Sequence, residues 1–324
     1  MKAVLCTHFG SPDELELAEI APPQPAPGEA VVRVAVAALN FFDTLIIAGK
    51  YQNKPPFPFS PAAEFAGIVE RTGPGVTDIA GGDRVMGYMG WGAARQVVAI
   101  PAQQLVKLPD GLDFERAAGL TVTYGTTLYA LRERAALKSG ETLVVLGASG
   151  GTGLAAIELG KMLGARVIAC ASSDEKLDFA RAHGADATVN YAAENLREAL
   201  KKRGGESGTD VVYDPVGGAY AEPALRSLGW LGRYLVVGFA AGEIPKIPLN
   251  LALLKSCDIR GVSWGAWTKR EPMMQRALMT DIVRWCGEGK LSAHVHAVYP
   301  LEQTAAALKA IADRKPMGKI VLRP

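Results

Sequence analysis

The first third of the chain alternates short apolar runs with turn-forming residues. Val31-Val32-Arg33-Val34-Ala35-Val36 interrupts an apolar stretch with a charge, a pattern that suits a strand and argues against a membrane segment. Similar runs cover Ala30–Ala38, Glu64–Val69 and Arg95–Ile100. Pro22-Pro23, Pro25, Pro27-Gly28, Pro55-Pro56, Gly73-Pro74-Gly75 and Gly81-Gly82 separate them. This spacing predicts a β-rich, barrel-like or sandwich-like domain.

The pattern changes near Phe114. Glu115 to Leu137 lacks proline and predicts mostly helix, with a Gly-Thr-Thr step at 125–127. Strand and helix then alternate: strand Thr142–Leu146, helix Gly151–Leu163, strand Arg166–Ala171, helix Asp174–Ala182, then strands Asp210–Asp214 and Gly232–Val237. Such alternation predicts βαβ units around a parallel sheet. Beyond Gly261 the pattern is irregular, with a helix at Met273–Cys286 and a last strand at Lys319–Leu322.

Composition narrows the function classes. A chain of 324 residues suits two domains. A net charge of +2 leaves no basic excess for a nucleic-acid backbone, and aromatic-basic interleaving is absent. The densest charge block, Lys201-Lys202-Arg203, reads as a solvated helix end. Met1 to Cys6 reads as a strand, with no signal-peptide pattern expected. The four cysteines, Cys6, Cys170, Cys257 and Cys286, form no Cys-x-x-Cys pair, which fits a reducing, cytoplasmic compartment.

The sharpest motif is Leu143-Val144-Val145-Leu146-Gly147-Ala148-Ser149-Gly150-Gly151-Thr152-Gly153. A buried strand enters a glycine-rich turn and a helix opens behind it, so a pyrophosphate can approach the helix N-terminus. Ala148 stands at the first position of the usual Gly-x-Gly-x-x-Gly, followed by Gly150 and Gly153. After the second strand come Ser172-Ser173-Asp174-Glu175-Lys176. NAD sites usually carry a strand-end acid for the ribose hydroxyl. Here two hydroxyls and a lysine can cradle a 2′-phosphate instead, which favours NADPH. Ser173 also suits the N-cap of the next helix, and both roles are compatible.

Taken with Ala38-Leu39-Asn40-Phe41-Phe42-Asp43-Thr44, Gly49-Lys50-Tyr51, Ala63-Glu64-Phe65-Ala66-Gly67, Gly82-Asp83-Arg84-Val85 and Val236-Val237-Gly238-Phe239, the chain resembles the zinc-independent quinone oxidoreductase branch of the medium-chain dehydrogenase/reductase superfamily. The resemblance spans nearly the whole sequence. It implies a GroES-like catalytic domain over residues 1–118 and a Rossmann NADP-binding domain over 119–262, with 263–324 returning to the catalytic domain. It also implies an active-site cleft between the domains and a homodimer. Carried over by position, Lys176, Tyr191 and Arg314 would surround the 2′-phosphate. Thr127, Gly238 and Phe239 would lie near the nicotinamide, and Ala148, Gly150, Gly151, Thr152 and Gly153 would form the pyrophosphate turn.

Zinc-dependent relatives place cysteine where this chain has Asn40 and histidine where it has Ala63, and Gly87–Gly92 holds no cysteine for a structural zinc. No metal site is therefore expected. A metal-free site calls for an acceptor whose developing oxyanion hydrogen bonds can hold, such as a quinone, enone or enal. Asn40, Asp43 and Tyr51 are the candidate catalytic residues, with Tyr51 as proton donor. Asn40 can alternatively brace its turn, and Tyr51 can pack against Pro55 and Phe57. Two other functions stay open at this point: enoyl-thioester reduction, as with enoyl-CoA, and non-enzymatic NADPH binding.

Overall fold

The alternating run around Arg33 becomes the 11-residue strand Glu29–Leu39. Arg33 is exposed between buried Val32 and Val34, as the two-residue period requires. A computed structural model describes residues 1–324. The chain forms two units: Met1–Val122 with Pro272–Pro324, and Thr123–Glu271.

In the first unit Glu29–Leu39 pairs antiparallel with Lys319–Arg323, Glu64–Thr72 and Val97–Pro101. Arg84–Tyr88 and Leu105–Lys107 extend the sheet antiparallel, and Val295–Pro300 adds in parallel beside Lys319–Arg323. Register shifts near Val31 and Val34 bend the long strand. Gly67 permits a close strand approach there, since a Cβ would sit 2.1 Å from the Arg33 carbonyl oxygen. The pairs Ile320↔Leu39, Ala38↔Glu64 and Glu64↔Tyr88 bring Lys319, Asn40, Glu64 and Tyr88 to one end of the sheet. Val32, Val34, Leu39, Phe65, Val85 and Ile320 fill the core beneath it.

The second unit is a six-stranded parallel sheet. Its order is Ala187–Asn190, Arg166–Ala171, Thr142–Leu146, Thr209–Asp214, Leu228–Val236, Asp258–Gly261. In order of appearance this is 3-2-1-4-5-6, the doubly wound Rossmann arrangement. Its inner strands are buried on both faces, so they read as continuous apolar runs. The order reverses between Thr142–Leu146 and Thr209–Asp214, and the loops after these strands flank the crevice where such folds bind ligands.

The expected helix over Glu115–Leu137 divides into Phe114–Ala118, Leu120–Leu128 and a π-helical turn at Tyr129–Arg134, with Gly119 capping the first piece. The irregular region beyond Gly261 holds the helices Trp264–Arg270, Pro272–Gly287 and Thr304–Ala312. No helix is long and apolar enough to cross a membrane.

Candidate active site

Two glycines of the 147–153 turn serve different ends. A Cβ on Gly153 would lie 2.2 Å from the Gly147 carbonyl oxygen and 2.7 Å from Ala148 Cα, so helix and turn touch here. Gly150 has φ −74 and ψ 168, open to any residue, and a Cβ there meets nothing nearer than 3.5 Å. Neither backbone nor packing demands glycine at this N-cap. Space is therefore left over the start of the helix Gly151–Met162, which no side chain caps. The unpaired first-turn N–H groups and the helix dipole suit a phosphate there.

Across the switch point Asp214 holds the neighbouring loop. Its Oδ1 accepts from the N–H groups of Val216 and Gly217 at 2.7 and 2.8 Å, and Tyr234 donates its hydroxyl to Oδ2. Gly238 and Phe239 lie against this loop: Ala240 N–H donates to the Pro215 carbonyl at 3.1 Å, and a Cβ on Gly217 would meet the Phe239 ring at 2.8 Å. Thr127 is fully buried. Its hydroxyl donates to the Thr123 carbonyl at 2.7 Å and shares a 2.9 Å hydrogen bond with Tyr213.

Ser172, Ser173, Lys176 and Tyr191 gather at the ends of the strands Arg166–Ala171 and Ala187–Asn190. Ser173 is the N-cap and accepts from Lys176 N–H at 3.4 Å, while Lys176 Nζ lies 3.4 Å from Ser172 Oγ. The nearest acid, Asp174, accepts from Asn190 Nδ2 at 2.9 Å. Tyr191 packs on Tyr220, with ring centroids 4.2 Å apart. Arg314 belongs to the other unit, exposed and left-handed (φ 57) just after the helix Thr304–Ala312.

In that unit Asn40 is the N-cap of the helix Phe41–Ile47. Asp43 is buried, and both its oxygens accept backbone N–H groups, from Asn40 at 2.7 Å and Ala62 at 3.1 Å. It thereby holds Ala62 at φ 66, a conformation costly for any residue with a side chain. Burial pushes the Asp43 carboxyl up to about 7, against the pull of these donors and of Lys319. Asn40 Nδ2 donates to Glu64 Oε1 at 2.9 Å, and Lys319 Nζ donates to Asn40 Oδ1 at 2.6 Å. Tyr51 stacks on Phe42 at 5.6 Å, whereas Phe57 pairs with Phe9 and Phe59 instead. Burial, then the Asp43 charge, raise the Tyr51 phenol above its usual range, so it stays protonated at neutral pH. Its hydroxyl has no partner in the protein.

Sequence reasoning passed over Glu64, Asp214 and Lys319 as site residues. Each is a buried charge directly beside an apolar run at the end of its strand, which is the signal that could have found them. No three His, Cys, Asp or Glu side chains stand close enough together to share a metal ion.

Residues 26–110 match the alcohol dehydrogenase GroES-like domain family, and residues 151–279 match the zinc-binding dehydrogenase family. The chain is 39% identical to quinone oxidoreductase-like protein 2 of Bos taurus, covering 99% of this chain and 92% of the relative. It is 33% identical to a quinone oxidoreductase of Pseudomonas aeruginosa, over 100% and 99% of the two chains. Among solved structures, an Escherichia coli quinone oxidoreductase complexed with NADPH superposes with a TM-score of 0.93 at 30% identity, covering 100% of both chains. Glycine turn, strand order and full-length similarity agree, and the chain belongs to the zinc-independent quinone oxidoreductase branch of the medium-chain dehydrogenase/reductase superfamily.

Proposed function

We propose that this protein reduces quinones and α,β-unsaturated carbonyl compounds with NADPH, using hydrogen-bond donors in place of a metal. One observation carries the assignment of roles: the Tyr51 hydroxyl and the second Asn40 amide hydrogen lack a protein acceptor, while both Asp43 oxygens and the rest of the Asn40 amide are engaged. NADPH supplies the hydride when bound. The acceptor's oxygen then gains negative charge, which the Asn40 amide and the Tyr51 phenol stabilise. Tyr51 provides the proton that completes the reduction. Asp43 is a positioning residue that fixes the Asn40 backbone. Activity of the purified protein with NADPH, a quinone and an enone tests this reading; no turnover of either acceptor would reject it.

Ser172, Lys176 and Tyr191 form the proposed 2′-phosphate site. Losing one half-exposed cationic contact costs about 1–1.5 kcal/mol after solvent screening. Lys176→Ala should therefore weaken NADPH ~10-fold and leave NADH unchanged. Equal weakening of both in a binding titration would reject the site.

Asp43 implies a pH dependence. Below about 7 its carboxyl is protonated, and above that value it adds a negative charge near the developing oxyanion. The rate of acceptor reduction should thus fall as pH rises through about 7, and Asp43→Asn should flatten the fall. Stability follows the same sign. A raised carboxyl favours the fold below the ordinary carboxylate range, and that contribution is lost as pH rises through about 7. A rate profile unchanged by Asp43→Asn would remove Asp43 from this role.

We also propose a homodimer. The strand Asp258–Gly261 pairs on one side only, leaving a self-complementary edge, and Trp230, Leu253 and Leu254 are exposed at 70%, 78% and 69%. Sedimentation at micromolar concentration should give twice the 34.2 kDa chain mass. A single-chain mass there would contradict the assembly.

A further inference from the structure

Lys319 is the one charge inside its strand's buried run, and its side chain is 7% exposed. An ammonium has three hydrogens to donate. Lys319 gives two of them to the Leu39 carbonyl at 2.8 Å and Asn40 Oδ1 at 2.6 Å, and its ammonium forms an ion pair with Glu64 Oε1 at 2.8 Å. The surrounding sequence also makes room for it, because a Cβ on Gly119 would sit 2.7 Å from Lys319 Cγ although Gly119 has an ordinary φ of −90.

Glu64 is equally engaged. Oε1 accepts from Asn40 Nδ2 at 2.9 Å and is ion-paired with Lys319, while Oε2 accepts from Val122 N–H at 2.7 Å. The two ends of an asparagine amide are nearly alike in shape, so orientation is set by what each end meets. Lys319 can only donate and ionised Glu64 can only accept. Turning the amide over would set N–H against ammonium and C=O against carboxylate. One orientation survives, and it leaves one Nδ2 hydrogen unclaimed. The ammonium on Oδ1 also draws charge out of the amide nitrogen, which strengthens that remaining donor in a dry setting.

We infer that Lys319, fixed by Glu64 and accommodated by Gly119, is a positioning residue that locks and polarises the Asn40 amide as the oxyanion donor. The inference rests on the proposed role of Asn40 toward the acceptor. Lys319 and Glu64 carry opposite charges, so the pair polarises the amide without adding net charge to the site.

A double-mutant cycle tests it. Four proteins are compared with one enone at saturating NADPH: wild type, Asn40→Ala, the charge-neutral pair Lys319→Met with Glu64→Gln, and the combination. NADPH binding by fluorescence confirms that each is folded. The neutral pair should lower kcat about 10-fold, keep the NADPH dissociation constant within about twofold, and add no further loss in the Asn40→Ala background. Multiplying losses, or a wild-type kcat in the folded pair while Asn40→Ala is slow, would overturn the positioning role alone. A wild-type rate in Asn40→Ala would instead overturn the role of Asn40 and this inference with it. If the neutral pair does not fold, Gly119→Ala displaces the Lys319 stem with every charge retained. It should lower kcat without further loss on Asn40→Ala, and an unchanged kcat would overturn the inference.

Discussion

Gly150→Val should fold like the wild type and bind NADPH on the order of 100-fold more weakly. The backbone at this N-cap is already extended, and the new Cβ has open space around it, so little strain arises. The rest of the side chain would fill the space over the first turn of the helix Gly151–Met162. Excluding two charge-assisted phosphate contacts, each at the low end of about 1.5 kcal/mol, gives a loss of this size. Gly153→Ala makes the opposite case. Its Cβ would lie 2.2 Å from the Gly147 carbonyl oxygen, so helix and strand must separate. That overpacking should cost roughly 1–3 kcal/mol or more of stability before any ligand is added. Unfolding curves and NADPH titrations of the two variants separate the effects. A Gly150→Val protein with wild-type affinity would show that the phosphates do not use this space.

Tyr51→Phe should lower kcat on an enone by ~100-fold, with NADPH affinity nearly unchanged. Phenylalanine keeps the stacking on Phe42 and loses only the hydroxyl, which has no protein partner to disturb. The loss should be smaller on quinones, whose reduced oxygens are more acidic and take protons from water more readily. Wild-type rates on both acceptors would reduce Tyr51 to a packing residue.

The parallel-sheet unit was the more legible in sequence. Its strands Thr142–Leu146 and Arg166–Ala171 and its helix Asp174–Ala182 have the expected bounds, because burial on both faces and a serine cap leave clear marks. The four-residue edge strands Ala187–Asn190 and Asp258–Gly261 were missed; a short, half-exposed strand has almost no period to read. The same limit applies to the site. Asn40, Asp43 and Tyr51 share one short segment and could be picked out from resemblance. The charges that support Asn40 come from Glu64 and Lys319, 24 and 279 residues away, and only strand register brings them to it. Asn40 also shows that bracing and donation need not exclude each other. One amide hydrogen is used by Glu64 and another is left.

Metal-free hydride transfer from NADPH to a conjugated acceptor is the chemistry this site should perform. Its most direct test is NADPH oxidation by the purified protein, in the presence of a strong chelator, against quinones, enones and enoyl-CoA esters. Undiminished turnover of quinones and enones is expected, with NADPH strongly preferred over NADH. Turnover that collapses in chelator, or that appears only with the enoyl-CoA esters, would contradict it.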